Sequence, residues 1–280
     1  MKKLLFLMSM AAFGATRSDM LVSADWLAQH LNDSKIVILH VSANKTAYDA
    51  GHIPGARFVP QSDLVVTRDG IPNELPPAAD LVKVFATAGV TDDTRVILYG
   101  DTSPLPPSRA YFTLDYLGHE QTAMLDGGLD AWKSGNRALS KDAPTIATGK
   151  LTAKVNAKLV VQMDDVKAMT SKASASATIL DVRSAAEYKG EKGAHIPSAL
   201  NMYWMDTQLT RENQTLKSEG ELRKIAEAAG IPMNKPVVTY CNSGMQASQS
   251  YFTLKYLGYD VKLYDGSMSE WNAKGGQVEK

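Results

Sequence analysis

A single cysteine, Cys241, is all that the 280 residues contain. A disulfide framework within the chain and a thiolate zinc site are both excluded. Neither sign of charge is in excess, since Lys+Arg and Asp+Glu each number 30. A nucleic-acid binder needs a basic surface to displace counterions from phosphates, so that class is set aside. Long apolar runs are missing too: beyond the first 15 residues nothing is long and uniform enough to insert stably in a bilayer. His30, His40 and His119 lack the mutual spacing of metal ligands, and no metal or other cofactor is expected. What remains, 44% hydrophobic and 21% charged residues, is the composition of a folded globular chain.

The first residues read differently from the rest. Lys2 and Lys3 form a short basic region, Leu4 to Ala15 carry no charge, and Ala11, Ala12, Gly14 and Ala15 are small. Residues 1–15 are therefore expected to be a signal peptide, too short for a transmembrane helix. Export to the periplasm or beyond follows as the expected location.

An internal repeat sets the architecture. Tyr111-Phe-Thr-Leu-Asp-Tyr-Leu-Gly118 and Tyr251-Phe-Thr-Leu-Lys-Tyr-Leu-Gly258 differ at one position. His52-Ile-Pro-Gly-Ala56 returns as His195-Ile-Pro-Ser-Ala199, and Ile38-Leu-His-Val41 as Ile179-Leu-Asp-Val182. Asp126-Gly-Gly-Leu-Asp-Ala-Trp132 returns as Asp265-Gly-Ser-Met-Ser-Glu-Trp271. Four segments in one order at nearly one offset mean two copies of one domain. The expected division is residues 20–136, a linker over 137–160, and residues 161–280.

Each copy alternates short β-branched runs with helical spacing. Ile36–Leu39, Val96–Tyr99, Ile179–Val182 and Val237–Tyr240 read as strands buried on both faces. Leu81, Val84, Phe85 and Ala88 keep the i, i+3, i+4, i+7 spacing of a helix, and Ser218 with Glu221 resembles a capping box. The expected class is α/β, each copy a parallel sheet with helices on both faces.

Cys241 directly follows one of these strands and precedes a helical pattern that starts near Ala247. A thiol there faces the unpaired N–H groups of a helix N-terminus, which favour an anion and lower a thiol's pKa. The loop Cys241-Asn242-Ser243-Gly244-Met245-Gln246 is expected to curl its amides around an ionised sulfur that solvent can reach. Cys241 is the candidate nucleophile. Aligned without a gap back from Tyr111, its counterpart in the first copy is Asp101, followed by Pro104, Pro106 and Pro107, which remove backbone donors. One active and one inactive copy is the expected arrangement.

Both copies resemble rhodanese domains, and the mature chain is similar to tandem-domain sulfurtransferases. The resemblance rests on Tyr48-Asp-Ala-Gly-His-Ile-Pro-Gly-Ala56, Leu180-Asp-Val-Arg183 with Glu187-Tyr188, the loop Cys241–Gln246, and Asp265–Trp271. It implies a silent first domain and a double displacement in the second. The thiolate takes a sulfane sulfur from a small donor as a persulfide, and cyanide or a thiol, such as that of a thioredoxin-like protein, then removes it. Thiosulfate is the favoured donor. Either 3-mercaptopyruvate, or a carrier role without efficient turnover of small donors, is the alternative, because Asn242 and Ser243 are neutral where thiosulfate-using members carry cations. Arg183 is a candidate to position an anionic donor, or else a structural partner of Asp181 or Glu187. His52 is a candidate to position substrate beside Ser243, or else a residue that fixes loop geometry, as His195 is expected to be. The phosphatase branch of similar loops needs an arginine where Gln246 stands.

Overall fold

The computed structural model describes residues 17–170, 176–189, 193–210 and 214–280. The expected signal peptide, residues 1–15, lies outside the described residues. The first copy runs β1 (Leu21–Val22), α1 (Ala24–Gln29), β2 (Ile36–Ser42), α2 (Thr46–Ala50), β3 (Arg57–Pro60), β4 (Val66–Arg68), β5 (Ile71–Glu74), α3 (Ala78–Thr87), β6 (Arg95–Tyr99), α4 (Leu105–Tyr116), β7 (Thr122–Leu125) and α5 (Gly128–Ser134). The second runs α6 (Met163–Met169), β8 (Thr178–Asp181), α7 (Ala185–Tyr188), β9 (Leu200–Asn201), α8 (Glu219–Ala228), β10 (Val237–Tyr240), α9 (Met245–Tyr256), β11 (Val261–Leu263) and α10 (Ser267–Ala273).

Two parallel sheets result, ordered β1-β7-β6-β2-β3 and β11-β10-β8-β9. Strand for strand they superpose in order, and an isolated bridge from Val160 to Leu263 stands where β1 pairs β7. The expected apolar runs are the central strands: β10 is Val237–Tyr240 and is buried throughout. Both faces of each sheet are covered. Outer faces pack on Leu27, Leu129 and Trp132 in the first copy and on Val166, Met268 and Trp271 in the second. Inner faces share one continuous core that crosses between the copies.

Helices α4 and α9, the two nearly identical segments, pack against each other at the centre. Tyr111 meets Phe252 edge-to-face at 4.8 Å, and Phe112 meets Tyr251 in the same way at 4.9 Å. Reciprocal pairs of this kind mark a pseudo-two-fold axis. The Ser218–Glu221 capping box forms at the start of α8, with Ser218 N donating to Glu221 Oε2 at 3.0 Å. Between the copies, the linker is strapped along the first one. Lys154 N donates to Leu117 O at 2.8 Å, Gly149 N to Ala86 O at 2.8 Å, and His52 N to Ser140 O at 2.9 Å.

The β4–β5 hairpin reaches from the first copy onto the second. In the second copy, an isolated antiparallel bridge from Gln208 to Leu216 reaches back.

A cysteine loop closed by two copies of one domain

β10 delivers Cys241 at its carboxyl end, and Gly244, with φ at +83°, turns the chain into the 12-residue α9. Only glycine adopts that left-handed angle without steric cost. The helix begins at Met245, so Met245 and Gln246 are its first turn rather than loop residues. The loop is fastened to the start of α10. Cys241 N and Gly244 N both donate to Ser267 Oγ, at 3.1 and 3.2 Å, and that hydroxyl donates to Tyr264 O at 2.9 Å. Met268 N donates to Cys241 O at 3.0 Å, and Ser269 donates to Asn242 O through its N and its Oγ. The repeated motif Asp265–Trp271 is thus the clamp on the loop.

The sulfur sits among converging amides. Burial pushes the Cys241 thiol up, and the main-chain N–H groups of Ala247, Ser243, Gln246 and Gly244 pull it back down without cancelling that effect. Only 1% of the residue is exposed. The expectation of an ionised, solvent-reachable thiol is corrected here. The amide cradle is present, but the packing that builds it also shuts out water, and desolvation disfavours the thiolate. Asn242 is exposed and Ser243 half-buried, so the two residues that follow the buried cysteine meet solvent.

The other expected residues divide. Arg183 grips the Asp181 carboxylate through Nε, at 3.0 and 3.2 Å, and through Nη2 at 2.7 Å; Nη2 also donates to Ala194 O. Its remaining nitrogen, Nη1, reaches Asn242 Oδ1 at 3.4 Å. Arg183 is therefore the structural partner of Asp181 and touches the loop only through Asn242. His52 is not brought to the loop. It is fully buried in the first copy, stacked on Tyr48 at 3.8 Å, with Nδ1 at 2.9 Å from Tyr48 O and Nε2 at 3.2 Å from Asp142 O. His195 repeats this arrangement on Tyr188, with Nδ1 at 2.7 Å from Tyr188 O. Both histidines pin their own domains, and His52 makes no contact that would position a substrate at Ser243.

The gapless alignment to Asp101 is also corrected. Tyr99 accepts from Ile53 N as Tyr240 accepts from Ile196 N, and Leu129 N donates to Gly100 O as Met268 N donates to Cys241 O. Gly100 is therefore the counterpart of Cys241, because the first copy's loop is one residue longer before its helix. A Cβ on Gly100 would lie 2.3 Å from Ser103 O, so no side chain fits there. Asp101 follows it and accepts from Ser42 Oγ at 2.8 Å, with His40 Nε2 at 3.7 Å. Burial opposes ionisation of Asp101, but the Thr102 amide, the Ser42 hydroxyl and His40 together hold it below the usual carboxylate range.

Glu187 of the expected motif also reaches the loop, and Asn73, Leu75 and Arg109, which belong to no motif singled out from the sequence, meet Ser243 and Asp265 from the first copy. Glu187 Oε1 accepts from Asn242 Nδ2 at 2.9 Å. Burial would raise its pKa, yet the hydrogen bonds from Asn242 and Ser184 outweigh that and keep Glu187 ionised. From the first copy, Asn73 Nδ2 donates to Ser243 Oγ at 3.0 Å and Leu75 N to Asp265 Oδ2 at 2.7 Å. Arg109 Nη1 donates to Asp265 Oδ1 at 2.5 Å. Among the described residues no cluster of three or more His, Cys, Asp or Glu could hold a metal, and no helix is long and apolar enough to cross a membrane.

The rhodanese-like domain family matches twice, over residues 23–135 and 162–274. The sulfur carrier protein TtuD of Thermus thermophilus is 34% identical over 278 residues, covering 92% of this chain and 95% of that protein. The 3-mercaptopyruvate sulfurtransferase of Escherichia coli is 32% identical over 271 residues, covering 90% of this chain and 95% of that protein. The crystal structure of SseA from Escherichia coli, described as having the rhodanese fold, aligns with a TM-score of 0.78 at 31% identity, over 88% of this chain and 98% of SseA. With two matching domains and full-length relatives on both sides of the linker, this chain belongs to the rhodanese-like domain family as a tandem protein.

Proposed function

We propose that the protein is a sulfurtransferase that carries sulfur as a persulfide on Cys241. The observation that carries this reading is the place of the lone sulfur at the N-terminus of α9, where main-chain N–H groups of the loop and the first helical turn favour its anion against the effect of burial. The Cys241 thiolate attacks the outer sulfur of thiosulfate; an S–S bond to Cys241 forms, the donor S–S bond breaks, and sulfite leaves with its electron pair. Cyanide or a thiolate then attacks the terminal sulfur of the persulfide, and Cys241 departs as thiolate. The terminal sulfur is anionic, and preorganised amides with a helix dipole stabilise such a charge. Export rests on the residues 1–15 and would bring the cycle to periplasmic donors and thiol acceptors.

Incubation with thiosulfate is expected to add one sulfur atom to Cys241, released by cyanide as thiocyanate. Full turnover in Cys241→Ser overturns the reading.

Glu187 favours a second reading, that of a carrier with slow turnover of small anionic donors. Its carboxylate lies on Asn242, while Arg183, the cation in contact with Asn242 among the described residues, is committed to Asp181. A dianionic donor approaching across Asn242 meets like charge, which a protein-borne persulfide need not. Glu187→Gln is expected to raise kcat/KM for thiosulfate about fivefold by removing that repulsion. An unchanged value returns preference to efficient small-donor turnover.

A further inference from the structure

The pseudo-two-fold axis gives the interface between the copies two mirror halves. In each, a main-chain N–H of one copy caps an aspartate of the other: Leu75 N donates to Asp265 Oδ2 at 2.7 Å, and Leu216 N to Asp126 Oδ1 at 2.9 Å. The halves diverge at the helix residue alongside. Behind Cys241 stands Arg109 of α4; its mirror position on α9 is Gln249. Arg109 is fully buried and every branch of its guanidinium is used. Nη1 and Nη2 take the two Asp265 oxygens at 2.5 and 3.2 Å, Nη2 also donates to Asn73 O at 2.7 Å, and Nε to Leu64 O at 3.4 Å. Gln249 instead donates to Thr207 and Thr253 within its own copy.

This ion pair forms the floor of the cysteine loop. A Cβ on Gly244 would lie 2.6 Å from Asp265 Oδ1 and 3.4 Å from Arg109 Nη1. Gly244 is the residue whose left-handed turn aims the amides at the sulfur. Burying a guanidinium is costly unless it is paired and hydrogen-bonded. Among the described residues of the interface, that cost is met in the half that carries the thiol. In the other half no cation pairs with Asp126 among the described residues, and burial pushes its carboxyl up.

Resting on the assignment of sulfur chemistry to Cys241, we propose that Arg109, donated by the copy without a cysteine, is a positioning residue for that chemistry. Its forked contact fixes Asp265 beneath Gly244 and so fixes the amide cradle, and its charge cancels the carboxylate beneath a forming sulfur anion. The other ionisable side chains described around the loop are already partnered: Asp181 with Arg183, Glu187 with Asn242 and Ser184, Glu270 with Lys274, and Glu74 with Arg68. Without Arg109, Asp265 would keep the Leu75 amide but lose the cation it is paired with among the described residues.

Arg109→Gln installs the side chain that the mirror half already tolerates. In the full chain, the pH profile of Cys241 alkylation by iodoacetamide is expected to move up by about one pH unit, which is about tenfold slower labelling at a fixed pH below the midpoint. Asp126→Asn, in the mirror half, is expected to leave the profile in place. A folded Arg109→Gln protein with an unshifted profile overturns the proposal, as does an equal shift in Asp126→Asn, which would mean general loosening. Should Arg109→Gln not fold, Arg109→Lys, which keeps the charge and loses the fork, is expected to shift the profile in the same direction; no shift there overturns it as well. Because labelling reads the thiol itself, these outcomes leave the sulfurtransferase reading standing, and that reading falls only if Cys241→Ser turns over.

Discussion

Lys255 Nζ rests against the carboxylate of Asp115 at the centre of the molecule, and these two residues are the single difference between the paired segments Tyr111–Gly118 and Tyr251–Gly258. Near a pseudo-two-fold axis a residue faces its own counterpart. Had the repeat stayed identical there, like charges would meet; instead the positions hold opposite ones, and Tyr251 adds a hydrogen bond from its hydroxyl to Asp115 Oδ2 at 2.5 Å. The side chains are only 17% and 20% exposed, so solvent screens the pair incompletely.

Asp115→Lys is therefore expected to destabilise the protein by about 1–3 kcal/mol, between the values for surface and buried pairs. Adding Lys255→Asp restores the opposite charges in swapped positions and is expected to recover most of that loss. Urea unfolding of the two single variants and the double variant measures the coupling. Additive effects would mean that the pair contributes nothing of its own.

Gly100→Cys is expected not to awaken the first copy. Its Cβ would press to 2.3 Å from the main-chain oxygen of Ser103, and the cost of overpacking is about 1–3 kcal/mol. Placed in a Cys241→Ser background, it should give no thiocyanate and a lowered midpoint of thermal unfolding. Recovered turnover would show that the first loop can rearrange into an amide cradle.

His40 makes acid stability a readable quantity. It is fully buried, neither ring nitrogen has a hydrogen-bond partner among the described residues, and its pKa is lowered from 6.5 to about 4. Burial disfavours the imidazolium more than the nearby Asp101 carboxylate favours it. The unfolded chain thus binds this proton more readily than the native state. The contribution is fully present above pH 6.5 and is lost as pH falls toward about 4, an effect of about 3 kcal/mol over that window. His40→Phe should flatten stability between those pH values when urea unfolding is followed across them. A slope equal to that of the parent would place the acid sensitivity elsewhere.

Much of the fold was legible because the repeat states it twice. Strands such as Val237–Tyr240 announce themselves as short β-branched runs, and Ser218 with Glu221 marks a helix start through local chemistry alone. The position of Cys241 was legible for the same reason, but not its burial, since closure depends on Ser267, Asn242 and Ser243 meeting groups far along the chain. Asp101 was misassigned because counting back from Tyr111 crosses a loop that is longer by one residue. Counting forward from Tyr99 and Tyr240, whose hydroxyls accept equivalent hydrogen bonds, leads to Gly100 instead. Arg109 and Asn73 left no local trace: they meet Asp265 and Ser243 across 156 and 170 residues, and their mirror positions hold different side chains.

The hairpin that brings Asn73 to Ser243 has a consequence for how such a duplicated chain can evolve. Once each half supplies part of the wall around its sibling's reactive loop, one half can give up its own nucleophile and still be indispensable. Degeneration of its chemistry is then free to proceed, while deletion of its backbone is not, and an apparently idle repeat persists as masonry.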